Sequence, residues 1–200
     1  MSPAAQFPTS ASSLAVESRA FPINLPDNGR SQVDLIKLKI PGAFASAKAP
    51  LTWREVRFGI DQELLDPLAA VELAQAQLGT QDTFHSALFE LASLGPGEPV
   101  RHWVEQLAES EPQAKAGEME AKWLYLVLDW FYQHRTDLED PLLAVEQVYA
   151  DFDYPECLSS FVRYMPMQGP DLGSRAANEA RLFERWKSYL DECAGRLSPP

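Results

Sequence analysis

The sequence predicts a mainly α-helical, single-domain bundle of about seven helices, preceded by one short N-terminal strand and a disordered N-terminal tail. Three observations point there. Apolar residues recur at helical spacing from residue 51 onward, Asp-Pro and Gly punctuate those runs as starts and stops, and the first 50 residues differ from the rest in composition and charge. A chain of 200 residues with 46% hydrophobic content is long enough for one sizeable core.

Residues 1–30 are rich in Ser, Ala and Pro and hold too few large apolar groups to offset the entropy of ordering, so they read as the disordered tail. They lack the basic start and apolar stretch of a secretory signal. With no apolar run near the ~20 residues a membrane span needs, a cytoplasmic protein is expected. Residues 31–50 read as strand and linker, because Ile36, Lys37, Leu38, Lys39 and Ile40 alternate with a period of two.

The helical domain is expected over residues 51–198. Thr52 and Glu55 have the spacing of a capping box around Trp53. Asp66 and Pro67 open the next helix as N-cap and first-turn proline, and Gly79 closes it. Phe84, Ala87, Leu88 and Leu91 share a face before Gly95, and Val100, Trp103, Val104, Leu107 and Ala108 form a second such stripe. The longest helix is expected over residues 113–134. Its segment 123–132 is apolar all round except at Asp129, the mark of a central buried element. Asp140 and Pro141 start a helix with Val145, Val148, Tyr149 and Phe152 inward, and Leu158, Phe161, Val162 and Met165 form the next stripe. A last helix over residues 174–194 points Leu182, Phe183, Trp186, Tyr189 and Leu190 inward, with Gly195 as its stop. The runs at 66–72 and 140–146 match at six of seven positions. Either a helix pair is duplicated or Asp-Pro is simply a good helix opening.

Charge is the main functional clue. The net charge is −12, and two windows without Lys or Arg, residues 58–100 and 136–162, hold 14 of the 29 acidic residues. Concentrated negative charge repels nucleic acid and anionic membranes and steers basic proteins inward. The expected partner is a basic protein.

Catalytic chemistry is thinly represented. His85, His102 and His134 fall on separate segments without HxxxH or HExxH spacing, and no P-loop, GxGxxG or GxSxG occurs. Gly95-Pro96-Gly97 reads as a turn. Cys157 and Cys193 lack CxxC spacing and read as buried thiols. No cofactor is expected. Asp151, Asp153 and Glu156 offer hard oxygen ligands, so a metal-dependent hydrolase or transferase using this Asp-x-Asp cluster ranks third among functional readings.

The same cluster lies between Tyr149 and Tyr154, and two readings of the segment stand. Carboxylates beside rigid aromatic side chains suit an interface. Alternatively, Asp153 caps a helix after Pro155 and the tyrosines fill the core. The candidate partner-binding residues are Tyr149, Asp151, Asp153, Tyr154 and Glu156, helped by Asp137, Glu139 and Asp140 at the start of the window.

The run Tyr149-Ala150-Asp151-Phe152-Asp153-Tyr154-Pro155 resembles a known family. So do Phe161-Val162-Arg163-Tyr164-Met165-Pro166, the opening Leu51-Thr52-Trp53, and the helix from Trp123 to Trp130 running into Asp140-Pro141. With these strings the chain is similar, over roughly residues 51–190, to the bacterial domain-of-unknown-function family 2247. That family supplies no catalytic residues to carry over, and residues 1–50 depart from its usual span. Small acidic bacterial families of this kind are often immunity proteins, so the resemblance implies a cytoplasmic protein that binds and neutralises a cognate toxin. A helical adaptor or regulatory protein binding another basic protein is the alternative.

Overall fold

The structure, a computed structural model, describes residues 39–79, 85–115 and 117–197. Among them lie eight α-helices and one 3-10 helix, and no strand. The disordered tail expected at 1–30 and most of the strand expected at 33–40 lie outside the described residues. At its far end Ile40 forms a single parallel bridge with Leu65 and donates its N–H to the Leu64 carbonyl at 2.8 Å.

The first helix, α1 (Gly42–Lys48), occupies what the sequence presents as linker. It is short and built from small residues, with no side-chain cap, so no amphipathic signal announces it. Gly42 lets it lie against the next layer: a Cβ there would sit 2.7 Å from the Cβ of Ala69.

Helix α2 (Trp53–Asp61) starts with the expected capping box, in which Glu55 and Thr52 exchange hydrogen bonds. Its remaining N-terminal amides have a distant partner: the Glu111 carboxylate accepts from Trp53 N at 2.9 Å and Arg54 N at 3.0 Å. A carboxylate at a helix N-terminus satisfies orphan donors and meets the positive end of the dipole. Gly59, inside α2, faces Trp123 so closely that a Cβ would lie 2.1 Å from the indole.

Helix α3 (Pro67–Leu78) is capped by Asp66, which accepts from Leu68 N, with Pro67 at its first position as predicted. Helix α4 (Ser86–Ala92) is capped by His85 Nδ1, which accepts from Ala87 N at 3.1 Å. Phe84 of the expected stripe falls outside the described residues. Helix α5 (Arg101–Ser110) buries Val104, Leu107 and Ala108.

Helix α6 (Glu118–Gln133) is the buried centre, with Trp123, Leu126, Val127 and Leu128 fully inaccessible. It packs against α2, α7 (Pro141–Asp151) and α8 (Arg175–Leu197). Helix α2 also packs against α5, α5 against α4, and α4 against α3, which in turn packs against α1. Charged groups at the centre are paired, whereas the indole Nε1 of buried Trp186 has no acceptor among the described residues. Lys122 meets Glu55 at 2.6 Å, and Asp129, the charge that interrupts the apolar run, meets Lys48 of α1 at 2.7 Å.

Three expectations are corrected. Helix α6 is not the longest: Gly117 takes a left-handed φ of 79° at its start, so it spans 16 residues against 23 for α8. Gly195 does not stop α8, which continues to Leu197. Cys193 is buried, but Cys157 is exposed on the 3-10 helix Glu156–Phe161. The two Asp-Pro helices also pack differently, α3 against α1 and α4, and α7 against α6. What the shared string does in both places is start a helix, with Asp at the N-cap and Pro in the first turn.

Candidate functional site

The acidic corner is made by the way α7 ends. Tyr154 N–H donates to the Tyr149 carbonyl at 2.8 Å and Asp153 N–H to that of Ala150 at 3.2 Å. This is the paired bonding of a Schellman stop, in which the left-handed residue is usually glycine. Here it is Asp153, at φ 57°, followed by Tyr154 at φ 58°. The apolar contact that accompanies such a stop is the Tyr149–Tyr154 ring pair, edge to face with centroids 5.3 Å apart. Pro155 then prevents continuation. Helix α2 ends in the same manner, with Glu63 at φ 58° and Leu64 N–H bonded to the Gly59 carbonyl.

This stop sorts the aromatic residues. Tyr149 is 5% exposed, with its hydroxyl 4.0 Å from Met165 Sδ, so it belongs to the core rather than to an accessible surface. Tyr154 and Tyr164 stand on it and are 58% and 57% exposed. Tyr164 enters the site through the backbone path after the 3-10 helix, and its appearance in the 161–166 string was the one sign in the sequence. Asp153 does not cap the 3-10 helix, which begins after Pro155 without a side-chain cap.

The carboxylates divide into two groups. Asp151 and Asp153 are exposed and have no ion-pair partner among the described residues, and Glu156 accepts only from Ser159 Oγ at 3.4 Å. Asp151 is the last residue of α7, where no basic residue offsets the negative end of the helix dipole. Although the side chain reaches solvent, the protein atoms packed around it partly desolvate the carboxyl and raise its pKa from the ordinary aspartate value. At the other end of the helix lie Asp137, Glu139 and Asp140. Eleven residues of α7 separate the groups by roughly 16 Å at 1.5 Å per residue, so they do not form one continuous patch.

Asp140 is also engaged internally. It caps α7 by accepting from Leu143 N, and Arg163 reaches back to it at 2.8 Å while holding Glu146 at 2.8 Å. Burial opposes ionisation of Asp140, but the Arg163 and backbone hydrogen bonds outweigh it and hold the carboxyl below its ordinary value. Bonding to Glu146, and then to Asp140, raises the already high pKa of Arg163 further. Asp140 is thus ion-paired within the chain and Tyr149 is buried. In the other window Asp61 is bridged to Arg57 and Arg101, and Asp66 to Lys39. Windows without bases in sequence are partly filled in space by the bases that flank them.

Among the described residues no group of three or more His, Cys, Asp or Glu side chains could hold a metal. His102 and His134 have local polar partners, Gln106 and the Trp130 carbonyl. No described helix is long and apolar enough to cross a membrane.

No curated protein and no solved structure matches the chain. The bacterial family DUF2247, an uncharacterized protein conserved in bacteria, matches residues 42–194, from the first residue of α1 into the last turns of α8. The matched span takes in α1 as well as every later helix, and on that match the chain belongs to the DUF2247 family.

Proposed function

We propose that this chain acts in the cytoplasm as a binding protein whose α7 corner meets a basic protein, and that the partner is a bacterial toxin it neutralises as an immunity protein. The observation that carries the reading is the exposed Tyr154 beside Asp151 and Asp153, carboxylates that lack basic partners among the described residues. Two consecutive non-glycine residues in left-handed backbone cost free energy, and such strain concentrates at functional positions. A partly desolvated carboxylate at a helix C-terminus gains most from a cation brought to it. Exposed tyrosines provide rigid contact area next to that charge. The toxin assignment adds the character of small acidic bacterial families; an adaptor would use the same face for a different basic protein.

The test uses a toxin-like protein encoded beside this chain. Reversing Asp151 and Asp153 to Lys should slow association and flatten its salt dependence, because steering is screened over about 8 Å at physiological ionic strength. Tyr154→Ala should shorten the lifetime of the complex. Glu72→Lys with Glu90→Lys, on exposed positions of α3 and α4, is the control. Loss of binding in the control with full binding in the 151/153 variant would place the interface on the other acidic face. An adjacent gene product that neither binds nor is inhibited would remove the immunity reading.

A further inference from the structure

A second feature has the opposite charge. The segment from Ser159 to Gln168 and the first three turns of α8 enclose an open groove of about 460 Å³, within the range of small-ligand sites. Four guanidiniums line it: Arg163, Arg175, Arg181 and Arg185. Two are matched by carboxylates, Arg163 by Asp140 and Glu146 and Arg175 by Glu179 at 2.8 Å.

The other two have only neutral acceptors. Arg181 donates to the Pro170 carbonyl at 2.7 Å and to Asn178 Oδ1 at 3.1 Å. Arg185 donates to the carbonyls of Ser160, at 2.9 Å, and Gln168. Among the described residues neither has a carboxylate within ion-pair distance, in a chain of net charge −12. Arg181 Nε is buried without an acceptor. The pair lies one helical turn apart, where like charges repel, and two guanidiniums carry about ten N–H donors, of which four bonds account for only part. Met165, Met167, Pro166 and Leu182 supply an apolar wall beside them.

We propose that this groove binds a small organic anion, with an oxyanion head group on Arg181 and Arg185 and a short apolar body along the methionines. The two guanidiniums supply the attraction; among the described residues they lack a carboxylate at ion-pair distance, although Asp171 acts on Arg181 from further off. The planar forks fit a carboxylate or phosphate, and the apolar wall adds contact area that a bare inorganic ion cannot use. The site is separate from the acidic corner and does not depend on the immunity reading.

The full-length chain is titrated with hexanoate, hexyl phosphate, hexanol and inorganic phosphate, following backbone amide shifts and calorimetric heats. One of the two hexyl anions should saturate, with shifts confined to residues 159–168 and 175–185; which of them binds tighter identifies the head group. Hexanol and inorganic phosphate should bind at least about tenfold more weakly, each lacking half of the recognition. Arg181→Gln with Arg185→Gln should weaken the favoured anion by at least about tenfold. These arginines also hold loop carbonyls, so Met167→Ser, at an exposed wall position, gives a second variant expected to weaken binding by removing apolar wall without adding charge beside the clamp. Lys187→Gln, outside the groove lining, should leave it unchanged. No saturation by about 10 mM, a range that reads Kd values into the millimolar, overturns the proposal, as do shifts elsewhere or equal binding of hexanol or inorganic phosphate.

Discussion

Replacing Gly59 with Ala sets two physical effects against each other. Helix propensity alone favours the change, because alanine is better than glycine inside a helix by about 1 kcal/mol. Packing opposes it. The new methyl would lie 2.1 Å from Cζ2 and 2.6 Å from Cη2 of Trp123, where ordinary carbon contacts are about 3.5–4.0 Å. The indole would have to retreat by more than an ångström, yet Trp123 is fully buried and its Nε1 donates to the Glu55 carbonyl at 2.9 Å. Overpacking costs about 1–3 kcal/mol or more, and a lost hydrogen bond about 1 kcal/mol. Against the propensity gain, the net is a destabilisation of about 1–3 kcal/mol. For a chain of this size that lowers Tm by about 2–12 °C. Calorimetry or denaturant unfolding followed by tryptophan fluorescence measures it. In a double-mutant cycle, Trp123→Phe should relieve the clash, with a coupling of at least about 1 kcal/mol. A Gly59→Ala protein as stable as the parent or more so, or a cycle with no coupling, would refute the close packing of α2 on α6.

Three further outcomes are expected. Lys48→Met removes the cation facing Asp129, whose side chain is only 10% exposed, and should cost about 2–4 kcal/mol in urea unfolding; a cost near zero would show that Asp129 is satisfied without α1. Asp66 is held below its ordinary value of 3.8, chiefly by the Leu68 N–H, and Asp140 is also lowered because its Arg163 and backbone bonds outweigh burial. A lowered folded pKa gives stability that is complete above 3.8 and lost as pH falls through the folded value. The stability gap between the parent and either Asn variant should therefore narrow between about pH 5 and about pH 3, as urea midpoints will read; a constant gap would refute it. Asp153→Gly should stabilise the α7 stop by about 0.5–1 kcal/mol while slowing partner association, and Asp153→Asn should slow association with little change in stability. Unchanged or faster association in both would show that this carboxylate does not steer.

The sequence by itself determined the helical class, the capping box at Thr52 and Glu55, the two Asp-Pro starts, and the buried run of α6. All are interactions within one turn or one helix face, where cause and effect are a few residues apart. The sequence left two readings of the segment around Asp151, Asp153 and Tyr154, and only the folded stop of α7, with Tyr154 58% exposed and both carboxylates at the surface, chose between them. Only the tertiary structure decided that Tyr149 is buried, that Tyr164 joins Tyr154, and that Asp140 is taken by Arg163. It alone paired Glu111 with the α2 N-terminus across 58 residues and gave Asp129 its cation from α1. The sequence showed Asp129 interrupting an apolar run but not the cation that meets it. Charge counted along the chain overstates charge in space for the same reason: Coulomb attraction between carboxylates and bases acts on distance after folding, and the bases flanking each acidic window fold back over part of it.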